Sequence, residues 1–263
     1  MTIISGTIIY AALGLLIGSF INAVVWRIHE HKSIVNDRSE CTHCHHKLGF
    51  FDLIPVFSWL FLGGKCRYCR KPISVQYPVV ELITASLFAV SFVQLDPAGW
   101  RAWLGFVVWL WVLGSLILVS VYDLRWMLLP DVVVLPAIAV ALVPIVTNLA
   151  THQPREVWLG PLLAALVVGS GFYALAAMSD GRWMGGGDIK LVALIGLALG
   201  LQLTAVAMLI AFNVAAIVSL TLIAVRLRKR TDHIPFGPFL ALGCIVALLF
   251  GHQLIGWYSG LVG

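Results

Sequence analysis

Five acidic side chains lie within or beside long apolar stretches of the chain, where an ionisable group is costly to hold. These residues are Glu81, Asp123, Asp131, Asp180 and Asp188. Asp123 ends one apolar run, and Asp188 directly follows Gly185, Gly186 and Gly187 at the start of another. Two carboxylates that share a site cannot both ionise cheaply, so one of them keeps a proton. Such a pair can activate a water molecule and polarise a peptide carbonyl, which is the chemistry of peptide-bond hydrolysis.

An alternative interpretation gives these two aspartates structural roles. Asp123 would then cap a helix or pair with Arg125, and Asp188 would pair with Lys190. The three consecutive glycines would allow positive backbone φ angles and the close approach of an extended substrate strand. Distance along the sequence does not show whether the two carboxylates meet, so both interpretations stay open at this point.

Four cysteines form a second group of residues that could do chemistry, in a polar segment after the first apolar run. They are arranged as Cys41-Thr42-His43-Cys44, then 21 residues, then Cys66-Arg67-Tyr68-Cys69. Two such pairs are typical of a tetrahedral zinc site with four thiolate ligands. His43, His45 and His46 are close enough to compete as ligands, and a reduced loop without metal is the alternative. A loop of about 50 residues has too small a core to fold unaided, so a structural zinc is predicted.

The elements that position these residues follow from composition and from the apolar runs. Hydrophobic residues make up 60% of the 263 residues and charged residues 11%, against about 25% charged in a soluble globular chain. This balance excludes a soluble enzyme and predicts an all-α polytopic membrane protein. Runs of about 20 apolar residues predict about eight transmembrane helices. The runs cover 3–26, 77–94, 100–121, 128–149, 157–178, 191–225 and 236–257, and 191–225 is long enough for two helices with a break near Gly200-Leu201-Gln202.

The positions of lysine and arginine predict the orientation of these helices. With the polar cysteine segment inside the cell, 15 of the 17 basic residues lie in cytoplasmic segments, and only Arg101 and Arg155 lie outside. Asp123 and Asp188 are then at the cytoplasmic face and both termini are outside. The acidic residues of the polar segment are expected to face solvent; they are Glu30, Asp37, Glu40 and Asp52.

Several motifs in this order resemble those of the type IV prepilin peptidases, a family of membrane aspartyl proteases with a G-x-G-D motif. They are Gly18 to Asn22, the two cysteine pairs, Asp52 to Pro55 with Ser58-Trp59, Tyr77 to Leu82, Asp123 with Leu129 to Asp131, Gly185 to Lys190, and Ile234 to Phe239. Each motif alone is weak, but together they run nearly from end to end of the chain. A small departure is Thr42, which stands where a proline commonly follows the first cysteine in the family.

The resemblance implies a division of the chain and two activities. Residues 1–76 would form the first transmembrane helix and the cytoplasmic zinc-knuckle loop with its four cysteines, which is associated with methylation, and residues 77–263 would form the aspartyl peptidase domain. Asp123 and Asp188 would cut the short basic leader from prepilins or pseudopilins at the cytoplasmic face of the bacterial inner membrane. S-adenosylmethionine would then donate a methyl group to the new N-terminus. Membrane lipids are expected as further partners, and nucleic acid is not.

The methylation activity implied by the resemblance needs a binding site for S-adenosylmethionine. No G-x-G-x-x-G follows a strand, and the inner loop is too short for a Rossmann domain. The candidates are Asn22 and Glu81, although Asn22 could instead hydrogen-bond between helices and Glu81 could pair with a loop arginine. Close to the substrate we expect the glycines 185–187, Lys190 and Asp131.

Two other functions fit parts of the sequence. Another G-x-G-D protease, presenilin-like or a preflagellin peptidase, would share the aspartates, but the cysteine loop and the count of eight spans argue against it. A membrane transporter would use Asp123 and Asp188 as ion-relay carboxylates. Broken helices with charges near the bilayer midplane would then be expected, whereas the charges here cluster at the inner edge.

Overall fold

The protein is described by a computed structural model that covers residues 3–182, 184–229 and 232–262. Seven helices in these ranges are long and apolar enough to cross a membrane, which confirms the predicted helical membrane fold. The elements in chain order are α1 (Ile3–His29), the short α2 (Phe57–Phe61), α3 (Gln76–Leu95), α4 (Gly99–Trp126), α5 (Asp131–Ala150), α6 (Arg155–Met178), α7 (Gly186–Ala224) and α8 (Gly237–Val262).

Seven helices account for eight predicted spans because the sixth and seventh predicted spans both lie in α7, which runs over 39 residues. A straight helix of that length would measure about 58 Å, nearly twice the hydrocarbon core of a bilayer. Gly200 interrupts the helix with φ 71° and ψ 176°, a backbone conformation that is essentially restricted to glycine. The predicted break is therefore confirmed, and it divides α7 into two helical segments.

The chain divides into two compact units, Met1–Pro97 and Ala98–Gly263. In the first unit α1 packs closely along α3, because small residues line the contact. A Cβ atom at Gly14 would lie 2.6 Å from the Cα atom of Ala85, and one at Gly18 would lie 2.7 Å from that of Glu81. Small residues four positions apart allow membrane helices this close approach. The first unit thus includes α3, whereas the division drawn from the sequence ended at residue 76.

The segment between α1 and α3 folds as two knuckles, each of which carries one Cys-x-x-Cys pair. Each knuckle is closed by an isolated antiparallel bridge, Glu40 with Lys47 and Lys65 with Pro72. A single 3-10 turn (Phe50–Asp52) and α2 connect the knuckles. This arrangement turns both pairs of cysteines towards each other within the first unit.

In the second unit, α7 packs on α6 and α8, and α4 packs on α5 and α8. The contact between α6 and α7 is again close, since a Cβ atom at Gly196 would lie 2.5 Å from the backbone nitrogen of Ala165. Leu113 and Leu116 of α4 and Leu191 of α7 are completely buried. This packing places the end of α4 beside the beginning of α8, where the first predicted aspartate lies.

Candidate functional site

Asp123 lies near the end of α4 and is only 5% exposed. Its Oδ2 atom accepts a hydrogen bond of 2.9 Å from the backbone N–H of Gly237, the first residue of α8. The first N–H groups of a helix have no partner within the helix, and their partial positive charge favours a carboxylate. A Cβ atom at position 237 would lie 2.7 Å from the same oxygen. The contact between Asp123 and α8 therefore requires glycine at this position.

Asp188 lies in the first turn of α7 and is half-buried. Gly185 caps this helix, and its carbonyl accepts a hydrogen bond of 3.1 Å from the backbone N–H of Asp188. The carboxylate turns back towards the cap, since a Cβ atom on Gly185 would lie 3.8 Å from Oδ2 of Asp188. Asp188, like Asp123, is thus held at a helix N-terminus, which is favourable for negative charge.

The structure brings these two aspartates together at one end of the second unit. The side chain of Leu129 packs against the glycine next to each aspartate site. A Cβ atom at Gly187 would lie 2.7 Å from the Cβ of Leu129, and a Cβ atom at Gly237 would lie 3.2 Å from the Cδ2 of Leu129. One leucine side chain therefore contacts both Gly187 in the first turn of α7 and the residue whose amide holds Asp123. None of the glycines 185–187 has a positive φ angle, so the positive φ expected from the sequence is not found there.

Asp123 does cap a helix, α8, as the structural interpretation supposed, whereas the ion pair supposed for Asp188 is not formed. Lys190 pairs with Asp131 rather than with Asp188, through contacts of 2.7 and 2.8 Å to both carboxylate oxygens. Arg125 lies over the ring of Trp126 at 5.6 Å. The ion pair of Lys190 and Asp131 joins the N-terminal part of α7 to the first residue of α5. Both side chains are substantially exposed, so the pair positions these helix ends while adding little to stability.

The four predicted zinc ligands form one cluster. The sulfur atoms of Cys41, Cys44, Cys66 and Cys69 all lie within 4.8 Å of one another, and those of Cys41 and Cys69 are 3.9 Å apart. Four sulfurs around a zinc ion at about 2.3 Å would be about 3.8 Å apart. Burial opposes ionisation of Cys41, but N–H groups of Cys44 and His43 and the nearby thiols lower its pKa to about 7. The donor set therefore fits a zinc ion.

The neighbouring histidines have other contacts. His45 lies 3.3 Å from a carboxylate oxygen of Glu40, and the ring of His46 packs on that of Tyr68 with centroids 3.6 Å apart. Glu40 also accepts a hydrogen bond from Lys32. That hydrogen bond, with the one from His45, lowers the pKa of Glu40. The expectation that Glu40 faces solvent is thus wrong, because its charge is paired and its side chain is largely covered.

Asp52 was also expected to face solvent, and its side chain is only 6% exposed. Its Oδ1 accepts a hydrogen bond of 2.7 Å from Arg67, and its Oδ2 accepts hydrogen bonds from the backbone N–H of Gly49 at 3.1 Å and the hydroxyl of Tyr68 at 3.3 Å. Arg67 and Tyr68 stand between the two cysteines of the second knuckle, and Gly49 follows the first knuckle. Asp52 therefore connects the two knuckles independently of the metal.

Asn22 and Glu81, the two residues predicted to bind S-adenosylmethionine, are buried between α1 and α3 in the first unit. Asn22 donates to the carbonyls of Gly18 at 3.2 Å and Tyr77 at 3.1 Å, so it does hydrogen-bond between helices as the alternative supposed. Within the described part of the chain, Glu81 pairs with no arginine. It accepts a hydrogen bond of 2.6 Å from the backbone N–H of Val56 and another from the hydroxyl of Ser19.

Comparisons with known proteins identify the family of this chain. A family model described as the bacterial peptidase A24 N-terminal domain matches residues 12–95, and one described as the type IV leader peptidase family matches residues 110–220. A protein of Aeromonas hydrophila named prepilin leader peptidase/N-methyltransferase is 35% identical, over 93% of this chain and 90% of its own. The chain belongs to the type IV leader peptidase family. A Bacillus subtilis (strain 168) protein of the same name is 36% identical, over 93% of this chain and 94% of its own. No solved structure was found to match.

The two matched segments of this leader peptidase family member divide the candidate residues between them. The N-terminal match contains the four cysteines, Asn22 and Glu81, and the second match contains Asp123 and Asp188. Gly237 lies beyond both matches, and sequence reasoning assigned it no role. The only sequence signal for it was the segment from Ile234 to Phe239, which was recognised as a family motif but not connected with Asp123.

Proposed function

We propose that this protein cuts the leader from prepilins or pseudopilins with Asp123 and Asp188 and then N-methylates the new N-terminal residue. The observation that supports the proposal is the position of the two carboxylates, one held at the start of α8 and one in the first turn of α7, with Leu129 packed against both helix starts. The relatives support it, since they are named for both a leader peptidase and an N-methyltransferase activity.

In the proposed hydrolysis one carboxylate of the pair is ionised and the other carries a proton. The ionised carboxylate takes a proton from a water molecule, whose oxygen attacks the scissile carbonyl carbon. The protonated carboxyl group donates a hydrogen bond to the carbonyl oxygen and then a proton to the leaving amine, so the C–N bond breaks without a charged leaving group. The N–H of Gly237 fixes the orientation of Asp123 throughout. Gly185 and Gly186 are exposed, and a Cβ atom at Gly186 would meet no atom within 4 Å, so this start of α7 leaves room for an extended substrate strand.

The second proposed activity requires a methyl donor and an ordered cysteine loop. S-adenosylmethionine, when bound, supplies the methyl group to the amine that cleavage has freed. We place its site in the first unit, where Asn22 orders the adjoining ends of α1 and α3 and Glu81 holds the backbone at Val56. Zinc held by Cys41, Cys44, Cys66 and Cys69 would fix the two knuckles, and it takes no part in either reaction.

We further propose that the aspartate pair works at the cytoplasmic face of the inner membrane. The support comes from the distribution of charge, because lysine and arginine are concentrated in cytoplasmic loops of membrane proteins. The leader of a prepilin is basic, and Lys190 is already paired with Asp131, which limits its repulsion of such a substrate. Lys190, Asp131 and the glycines 185–187 are the residues that we place nearest the bound peptide.

Purified protein incubated with a synthetic prepilin in detergent tests the peptidase proposal. Asp123→Asn and Asp188→Asn should each lower the rate of cleavage by at least about 100-fold, because asparagine keeps the shape but cannot exchange the proton. Asp180→Asn is the matched control, since Asp180 is exposed in the turn after α6, and it should cleave at the native rate. If either Asp123→Asn or Asp188→Asn cleaves at a near-native rate, the aspartyl mechanism is wrong.

A further inference from the structure

One surface of the first unit exposes large apolar side chains that its own fold leaves uncovered. We call it the apolar patch, and it consists of Phe50, Phe51, Phe57, Leu60 and Phe61. Each of these side chains is more than half exposed, and Phe61 is 86% exposed. Phe51, Phe57 and Phe61 line one groove, and the rings of Phe50 and Phe51 are in contact at 5.8 Å. The patch is therefore continuous, and patches of this kind mark interaction surfaces.

The patch belongs to a stretch of sequence that is apolar except at one position. Between Phe50 and Leu62 the only charged residue is Asp52. Its carboxylate points inward and is neutralised by Arg67, at 2.7 Å. An apolar stretch of this length is too short to span a bilayer, and it is typical of buried helices, signal peptides or segments that lie in the membrane interface. Its exposure excludes a buried helix.

The contacts of α2 explain why the apolar patch faces away from the rest of the first unit. Trp59 points towards the second knuckle, where its Nε1 donates a hydrogen bond of 3.1 Å to the carbonyl of Ile73. Residues three and four positions apart share one face of a helix. Phe57, Leu60 and Phe61 have this spacing, so they lie together on a face that the anchored tryptophan does not occupy.

Two further observations identify what covers the patch. The segment that carries it begins after α1 and ends before α3, and both helices are candidate membrane spans. The patch is therefore tethered within a short distance of a bilayer surface. Exposed Lys65, Arg70 and Lys71 follow it in the second knuckle. Exposed aromatic side chains beside clustered basic residues are the combination that binds anionic membrane interfaces.

We infer that the apolar patch inserts into the interfacial layer of an anionic bilayer. Phe57, Leu60 and Phe61 of α2, with Phe50 and Phe51, enter the boundary between headgroups and acyl chains. Lys65, Arg70 and Lys71 contact the lipid phosphates. The cysteine loop is then held to the membrane by α2 as well as by α1 and α3. This inference does not depend on either proposed enzymatic activity.

Photocrosslinking of the full-length protein in lipid nanodiscs tests the inference. A photoreactive phenylalanine analogue is placed at Phe61 in one variant and at Phe51 in a second, and at Thr42, which is exposed in the first knuckle, as the control. After irradiation in nanodiscs that contain phosphatidylglycerol, mass spectrometry should find phospholipid adducts at positions 61 and 51 and none at 42. Zinc content, measured on each variant, shows that the loop is folded.

The charge contribution is measured with the probe at Phe61 in a protein that also carries Lys65→Gln, Arg70→Gln and Lys71→Gln. The lipid adduct should decrease in phosphatidylglycerol and become equal to that in phosphatidylcholine. Folded protein that gives no lipid adduct at either aromatic position would overturn the inference. An adduct with an added prepilin peptide that replaces the lipid adduct would overturn it too, because the patch would then be a substrate surface.

Discussion

At the scale of single residues, the contact between Asp123 and Gly237 would make the proposed peptidase activity depend on a residue that has no reactive group. We expect Gly237→Ala to lower cleavage severely, since its Cβ would lie 2.7 Å from Oδ2 of Asp123 and 3.2 Å from Leu129. The carboxylate would have to turn away from the N–H that orients it. A positioning defect of about 1 Å can cost about 100-fold in rate. Single-turnover cleavage of a synthetic prepilin measures the effect.

Gly256→Ala is the matched control for this prediction. Gly256 lies on the same helix, and no atom would contact its Cβ within 4 Å. Alanine is favoured over glycine inside a helix by about 1 kcal/mol, so this variant should cleave normally and be no less stable. Equal activity of the two alanine variants would show that the amide of Gly237 does not position Asp123.

The environment of Val56 shows why some residue-scale features cannot be read from sequence. Val56 has φ 62° and ψ −53°, and the carbonyl of Pro55 accepts a hydrogen bond of 2.6 Å from the N–H of Phe57. This is the rare, strained form of the γ-turn, and a β-branched residue is unusual in it. Glu81 stabilises this strained turn by accepting a hydrogen bond from the N–H of Val56. The sequence marks Glu81 as a costly buried acid, but its partner is a backbone group 25 residues away.

At the scale of elements, the cysteine knuckles should depend on zinc, and purified protein should contain about one zinc ion per chain. Cys66→Ser with Cys69→Ser removes two ligands, so elemental analysis should find the zinc lost and methylation should fall before cleavage does. Cys244→Ala is the control, because Cys244 is completely buried in α8 and should leave the zinc content unchanged. Native protein, kept reduced and away from chelators, that holds no metal would contradict the site.

The break in α7 should depend on glycine for a conformational reason and not a steric one. At Gly200 a Cβ atom would approach nothing closer than 3.9 Å, but φ is 71°. Alanine has room there but is strained in this backbone, at a cost of about 1–3 kcal/mol. Gly200→Ala should therefore lower the melting temperature in detergent. Gly171→Ala in α6, where the Cβ also has open space, should not; equal melting temperatures for the two variants would rule out the strain.

Local patterns in the sequence predicted the elements well, while contacts between distant elements escaped prediction. The cysteine spacing predicted the four-thiolate cluster because each pair lies in one turn of chain. The charge-free run at residues 191–225, too long for one span and containing a glycine, predicted the break at Gly200. The prediction that Asp52 faces solvent was wrong because its partner, Arg67, lies 15 residues further along the chain and approaches it only when the cysteine loop folds. The bond from Gly237 to Asp123 joins residues 114 positions apart, and only helix packing brings them together.

At the scale of the whole molecule, the chain consists of two compact units with different chemistry. Met1–Pro97 contains the cysteine cluster and the buried Asn22 and Glu81, while Ala98–Gly263 contains the aspartate pair. Each group of residues is ordered by contacts within its own unit. Asp123 is held by α8, and Glu81 is held by Val56 and Ser19. Loss of one carboxylate of the aspartate pair should therefore leave the first unit intact.

The two proposed activities should then be separable in a fixed order. Cleavage must come before methylation, because the methyl acceptor is the amine that the cut sets free. Asp123→Asn should thus fail to methylate a full-length prepilin but should methylate a pre-cleaved peptide with a free N-terminal phenylalanine at the native rate. Transfer of a radioactive methyl group from S-adenosylmethionine to each peptide measures this, and zinc content confirms that the loop is intact. If the variant methylates neither peptide while its zinc is retained, the methyl-donor site does not lie in the first unit alone, since a change at Asp123 in the second unit would have destroyed it.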